Sequence, residues 1–164
     1  MTKLDYIEEQ TFDKTDFTQQ ALAKAEYEYC HFTNCNFLNA DLSEIRFINC
    51  EFIACNLSGV NLQQTSFQEV SFKDCKLLGL HFEDCKAFSF AVNFTNCQLN
   101  HSSFYQVKMS KTRFVNTNLQ EVDFTEADLS LSAFTECDLL NATFENTNLE
   151  KADLTTAFNY SIDP

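Results

Sequence analysis

The stretch "NADLSEIRFINCEFIACNLSG", from Asn39 to Gly59, carries a large apolar residue at every fifth position. These residues are Leu42, Phe47, Phe52 and Leu57. An α-helix would distribute residues five apart around its circumference, and a flat strand would alternate them between its two faces. The spacing therefore predicts a backbone that turns a corner once every five residues.

The same period extends over most of the chain. From residue 12 to residue 82 every fifth residue is Phe, Leu or Tyr, and from 94 to 154 the run resumes with Met109 as the one other residue type. The residue two places before each large one is usually small or β-branched, as Cys50 and Cys55 are. Two inward positions separated by one outward residue describe a short extended segment. We therefore predict a coil in which each side is one repeat.

Three segments, "ADLSE" at 40–44, "ADLSL" at 127–131 and "ADLTT" at 152–156, match the A(D/N)LXX pattern of the pentapeptide repeat family. The sequence resembles this family from Gln10 to about Thr156. The resemblance implies an all-β fold, a right-handed quadrilateral parallel β-helix with four repeats per coil and about seven coils. Phenylalanine recurs every twenty positions, except for one interval of twenty-two between Phe72 and Phe94. We call this series the phenylalanine column: Phe12, Phe32, Phe52, Phe72, Phe94, Phe114 and Phe134.

We expect a single pentapeptide repeat domain over residues 1–164. Its parts are an N-terminal cap at 1–9, a first repeat run at 10–84, a bulge at 85–91, a second repeat run at 92–156 and a C-terminal tail at 157–164.

The ends of such a coil expose apolar core and unpaired strand edges, so they need covering. At the N-terminus Leu4, Tyr6 and Ile7 are candidates to cover the first coil. At the other end two arrangements stay open. Phe158, Tyr160 and Ile162 fold over the last coil, or the end pairs with a second copy and gives an end-to-end homodimer.

The repeat is broken once, at "CKAFSFA", residues 85–91, where seven residues stand in place of five. Ala87 occupies the large-residue position, and Phe88 and Phe90 are additional rings. Bulges re-aim side chains and often lie near functional sites. Two interpretations stay open: Phe88 and Phe90 contact a partner, or both rings fill the space that Ala87 leaves.

Charge restricts the classes of partner. Twenty-four acidic residues against eleven basic ones give a net charge of −13, which argues against a nucleic-acid or anionic-membrane ligand. It favours a basic protein partner or serves solubility alone. The N-terminus lacks an apolar segment behind basic residues, and no stretch approaches eighteen apolar residues. We expect a cytoplasmic protein without membrane segments.

Residue types that carry catalysis or bind cofactors are present but scattered. Seven of the eight Cys occupy the small inward position, which spreads their thiols along the interior instead of converging them on one metal ion. His31, His81 and His101 fall on outward positions of different coils. Two glycines are too few for a phosphate-binding loop. We expect no cofactor, no metal and no enzymatic activity.

Acidic residues concentrate on one predicted side of the coil. We call this side the acidic face, and it consists of Asp41, Glu44, Glu83, Asp84, Asp123, Glu126 and Glu145, with Lys24 as a single base. The following side, which bears Tyr27, Phe47 and Phe67, has balanced charges, and we call it the neutral face. The sequence thus predicts a non-catalytic interaction or scaffold protein whose partner is unknown. The family resemblance implies an alternative, a DNA mimic that binds DNA gyrase or topoisomerase IV and modulates or protects these type II topoisomerases.

Overall fold

The computed structural model describes residues 3–162, which form a parallel β-solenoid of about seven coils. The predicted all-β fold is confirmed, and the described residues include no α-helix. They also contain no helix of the length and apolarity needed to span a bilayer. Parallel partners lie twenty residues apart before and after the bulge, and twenty-two apart across it, as between Phe72 and Phe94.

Two sides of the coil carry the regular strands. The first sheet runs in the order β1 (Asp5–Glu8), β3 (Ala25–Glu28), β5 (Arg46–Ile48) and β7 (Ser66–Gln68). The second sheet consists of β2 (Thr11–Asp13), β4 (His31–Thr33), β6 (Glu51–Ile53), β8 (Val70–Lys73), β9 (Val92–Thr95), β10 (Arg113–Val115) and β11 (Ala133–Thr135). Isolated parallel bridges join the coils elsewhere, and one 3₁₀ turn spans Phe82–Asp84.

The core is built from stacked rings. Successive rings of the phenylalanine column have centroids 4.7 to 5.4 Å apart and planes within 14° of parallel. This separation follows from the spacing of parallel strands, which places equivalent side chains directly above one another. Phe94 and Phe114 are fully buried, as the repeat predicts. Each such ring contributes about 1.5–3 kcal/mol from burial, before the entropy of ordering the chain is subtracted.

Corners follow from the residue two places after each core residue. In most repeats this residue has a positive φ, for example 55° at Asn34, 53° at Asn49 and 45° at Asn116. Asn tolerates the left-handed region better than most non-glycine residues, which explains its frequency here. The chain therefore turns at regular intervals and returns its next core residue to the interior.

Both ends continue the solenoid instead of folding across it. Asp5–Glu8 pairs in parallel with Ala25–Glu28, so the predicted N-terminal cap contributes a strand, and Tyr6 is exposed. At the other end Phe158 bridges to Asp138, and Phe158 and Tyr160 each remain about half exposed. Neither ring is buried against the last coil, whereas Ile162 is half-buried. Residues 1–2 and 163–164 of the predicted cap and tail lie outside the described part of the chain.

Candidate interaction surfaces

The acidic face lies along one side of the solenoid, as the repeat predicts. Bridges from Asp41 to Asn61 and from Ser103 to Asp123 join its successive coils, and a hydrogen bond from Gln64 N to Asp84 O links the coils between them. Four of its carboxylates are exposed and three are half-buried. All seven therefore reach solvent on the same side of the molecule.

Acidic coils alternate with neutral ones over most of this face. Residues 61–64 and 103–106 carry no charge, and they separate the acids at 41–44, 83–84 and 123–126. Like charges directly opposite each other on neighbouring parallel strands are destabilising. The alternation places the acidic coils of this face about 10 Å apart, twice the strand spacing. The face therefore carries its negative charge with weaker electrostatic repulsion between its coils.

Two of the acids also shape the backbone. Asp41 Oδ1 accepts a hydrogen bond from the Ser43 backbone N–H at 2.9 Å, and its Oδ2 lies 3.2 Å from Lys24 Nζ. The Ser43 hydroxyl and N–H, together with Lys24, hold the pKa of the Asp41 carboxyl below its ordinary value. Asp123 Oδ1 accepts the same kind of bond from Thr125 N at 2.8 Å. These two carboxylates are fixed in turns, whereas Glu44, Glu126 and Glu145 are exposed and hold no turn.

The two extra rings of the bulge, Phe88 and Phe90, lie in different environments. Lys86 N still donates to Thr65 O and Ala91 N donates to Phe67 O, so residues 87–90 leave the lattice between two regular hydrogen bonds. Phe88 is 77% exposed, whereas Phe90 is 9% exposed and packs edge-on against Phe82. The interpretation that both rings fill the gap is therefore wrong for Phe88. Its role as a partner contact stays a prediction.

A cavity of about 420 Å³ lies beside the bulge. It is lined from one side by residues around Cys85 and Lys86, and from the other by the segment from Tyr105 to Lys108 in the next coil. Sequence reasoning missed these lysines and this tyrosine as potential site residues. The break in the repeat was the signal that a gap between coils would open there.

The inward cysteines do more than fill space. Cys55 Sγ lies 3.2 Å from Phe32 O, and Cys137 Sγ lies 3.3 Å from Phe114 O, each a carbonyl in the preceding coil. Burial raises the pKa of Cys50 to about 12 and that of Cys137 to about 11. All eight cysteines are free thiols. The thiols of Cys50 and Cys137 are thus neutral hydrogen-bond donors at neutral pH.

Each histidine pairs with a glutamate on the surface. His31 Nδ1 lies 3.6 Å from Glu51, and His101 Nδ1 lies 2.8 Å from Glu121, in both cases one coil further on. His81 Nδ1 lies 3.1 Å from Glu83. Within residues 3–162 no three His, Cys, Asp or Glu side chains converge in a way that would hold a metal ion.

Comparison with known proteins supports the fold. Residues 25–91 and 81–154 match the family described as "Pentapeptide repeat region". Comparison with curated proteins gives no match.

Among solved structures, the chain is similar to full-length QnrB1, described as a plasmid-mediated fluoroquinolone resistance protein, at 20% identity and a TM-score of 0.44, with 94% of each chain covered. HetL, involved in heterocyst differentiation regulation in the cyanobacterium Nostoc sp. strain PCC 7120, is 15% identical with a TM-score of 0.34, over 96% of this chain and 90% of HetL. A thylakoid lumen protein of Arabidopsis thaliana is 24% identical with a TM-score of 0.28, over 71% of this chain and 63% of that one. These likenesses concern the fold alone.

Proposed function

Because the chain belongs to the pentapeptide repeat family, we propose that it is a non-catalytic interaction scaffold that binds a protein partner through its acidic face. Proteins of this family are generally structural or interaction proteins. The acidic face is the main support: seven carboxylates against one ammonium give it a net charge of −6, while the neutral face is balanced. Such a surface attracts basic partners and repels nucleic acids and anionic membranes. A reducing, cytoplasmic compartment suits the free thiols.

Two matched variants test this proposal. The face variant carries Glu44→Gln, Asp84→Asn, Glu126→Gln and Glu145→Gln. The off-face control carries Glu69→Gln, Asp74→Asn, Glu136→Gln and Glu150→Gln, which lie on other sides. Each removes four negative charges, so the two proteins have the same net charge.

We expect quantitative affinity capture to recover a partner with the unmodified protein and the off-face control, and to lose it with the face variant. Raising the salt concentration should weaken the interaction, since exposed charges are screened. Equal capture by both variants would contradict a role for the acidic face.

A second candidate function is DNA mimicry toward DNA gyrase or topoisomerase IV. The charge favours it: seven coils at about 4.8 Å give a rod of roughly 35 Å, and duplex DNA of that length carries about 20 phosphate charges. The net charge of −13 has the right sign and order of magnitude. The acidic face would then occupy the DNA-binding surface of the topoisomerase.

A supercoiling assay with purified gyrase, with and without a fluoroquinolone, examines this candidate. The unmodified protein and the off-face control should inhibit or protect the enzyme, and the face variant should not. If none of the three proteins alters gyrase activity at any salt concentration, the topoisomerase candidate is rejected, and the scaffold proposal stands on the capture experiment.

We further propose that two copies associate end to end. Phe158 and Tyr160 are about half exposed, and Leu149 and Leu154 are incompletely buried in the last described coils. Sedimentation velocity of the protein and of a Phe158→Ser, Tyr160→Ser variant provides the test. We expect a dimer that dissociates in the variant, and a monomer at all concentrations would exclude the association.

A further inference from the structure

The cavity beside the bulge results directly from the break in the repeat. Residues 87–90 leave the lattice, so the coil that contains Phe82 does not close against the following coil on this side. The resulting space of about 420 Å³ is within the range of about 300–1,000 Å³ that small-molecule sites occupy. Buried phenylalanine, leucine and small side chains fill the core in the regular coils on both sides of the bulge.

The cavity combines an apolar floor with positively charged side chains. Phe82, Phe90 and Val107 are buried and line it. Lys86 and Lys108 also line it and are exposed. Among the described residues, neither lysine ammonium has a carboxylate oxygen within 4.0 Å. The lining thus carries two lysines whose ammonium groups have no carboxylate partner in residues 3–162.

Glu83 adds a hydrogen-bond acceptor to the lining. Its Oε1 lies 3.1 Å from His81 Nδ1, whereas its Oε2 is buried and accepts no hydrogen bond from residues 3–162. A buried carboxylate oxygen without a donor is costly, because it has lost its contact with bulk water. This oxygen is closed to water in the unliganded protein, so the Glu83 side chain has to turn toward the cavity before a donor carried by a ligand can remove that cost.

We propose that this cavity binds an apolar amino-acid unit with a free carboxylate, either as a free amino acid or as the C-terminal residue of a peptide. The carboxylate pairs with Lys86 and Lys108, the amine or amide N–H donates to Glu83, and the apolar side chain packs on Phe82, Phe90 and Val107. A phosphate-type anion would leave the apolar floor and Glu83 unused. A divalent cation would find a single carboxylate and two ammonium groups.

The thiol of Cys85 does not give the site a nucleophile. Burial, with the neighbouring charges of Asp84 and Glu83, raises the pKa of this thiol, so its reactive thiolate is scarce at neutral pH. The geometry fits reversible binding.

NMR titration of the ¹⁵N-labelled protein tests the proposal with three probes: L-phenylalanine, acetyl-glycyl-phenylalanine and the C-terminal amide of the latter. We expect the two carboxylate probes to shift amide signals of residues 83–90 and 105–108 and to saturate with a Kd below about 1 mM. The amide probe should bind about tenfold more weakly, since it lacks the charge-assisted contact. Tighter binding of L-phenylalanine identifies a free amino acid as the ligand source, and tighter binding of the acetylated dipeptide identifies a peptide C-terminus.

Lys86→Met and Lys108→Met should each weaken carboxylate binding about tenfold, and Glu83→Gln should weaken it as well. The matched control is Lys111→Met, an exposed lysine of the same side that does not line the cavity, which should leave the Kd unchanged. Absence of shifts with all three probes, equal binding of the amide probe, or a Kd insensitive to Lys86→Met and Lys108→Met would each overturn the proposal. Unchanged spectra of the unliganded variants outside the cavity show that they remain folded.

Discussion

Where the small inward residue of a repeat carries a thiol or a hydroxyl, it can both fit the core and satisfy a backbone carbonyl. Cys55 Sγ, Thr65 Oγ1 and Thr147 Oγ1 all point at a carbonyl twenty-three residues earlier in the chain, at 3.2, 2.8 and 2.7 Å. Three different residues of similar size thus make the same contact. The position selects for compact volume first, and a donor adds a hydrogen bond to the preceding coil.

Replacing Cys55 by Thr or by Val separates these two contributions, since Thr and Val have nearly the same shape. We expect Cys55→Thr to be more stable than Cys55→Val by about 0.5–1.5 kcal/mol, the usual net value of one hydrogen bond. Urea denaturation measures the difference. A Val variant as stable as the Thr variant would mean that the contact with Phe32 O contributes no stability.

Substitutions at inward and at outward positions should differ sharply in their effect on the free energy of unfolding. Phe52, in the middle of the phenylalanine column, is fully buried, so Phe52→Ala should cost about 3–5 kcal/mol. Asp41→Asn on the surface keeps the oxygen that accepts from Ser43 N, so it should change the free energy of unfolding by less than about 0.5 kcal/mol. Equal losses in urea denaturation would show that the interior is misassigned.

At the scale of the element, the bulge is the place where regular coiling is interrupted. The neutral face carries the strands β1, β3, β5 and β7 before the bulge and isolated bridges after it, beginning with Lys108 paired to Asp128. Phe90 turns back into the core and edges against Phe82, which partly replaces the ring missing at Ala87. The insertion therefore changes the construction of one side while the phenylalanine column continues with a two-residue offset.

Truncation of Phe90 and truncation of Phe88 should differ strongly in their effect on the free energy of unfolding. Phe90→Ala should cost about 3 kcal/mol, at the low end for a buried Phe because the site borders a cavity. Phe88→Ala should change stability by less than about 0.5 kcal/mol, because its ring is mostly in water. Thermal or urea unfolding distinguishes the two. A large loss for Phe88→Ala would indicate that its ring packs against the protein in solution.

The repeat predicts the coil, its inward positions and the position of the bulge, because one physical constraint recurs in every repeat. It does not reveal which ring of the bulge turns inward, since Phe88 and Phe90 differ only in local backbone path. The pairs His31–Glu51 and His101–Glu121 become visible once a twenty-residue offset is applied to the surface. The break marks where a gap can open, but the size of the cavity depends on how far two coils separate, and the spacing of residues carries no information on that distance.

For the whole molecule, stability is the sum of contacts between neighbouring coils. No coil meets any but its immediate neighbours in the strand pairing, so a local weakness is not compensated from a distance. Buried ionisable groups are spread through the stack. Burial raises the pKa of Tyr27 and of Cys50 to about 12, and that of Cys137 to about 11.

These raised pKa values predict a loss of stability in alkali. Each group stays neutral in the folded chain but ionises in the unfolded chain, near pH 8.5 for Cys and near pH 10 for Tyr. Their contribution is therefore complete below about pH 8.5 and is lost as the pH rises toward the folded values. The urea midpoint should fall between about pH 8 and pH 11, and more gently in a Cys50→Val, Cys137→Val variant. A midpoint independent of pH in this interval would contradict the prediction.

The column of rings beside Tyr27 also has an optical consequence. The Tyr27 ring stacks on Phe47 at 5.6 Å and meets Phe12 and Phe32 edge-on at 6.1 and 5.9 Å. Phenylalanine emits where tyrosine absorbs, and the chain has no tryptophan to receive the excitation further. Light absorbed by the neighbouring phenylalanine rings should therefore be transferred to Tyr27 and emitted as tyrosine fluorescence. Because this transfer requires the stacked rings, the emission reports on the assembly of the solenoid without a label.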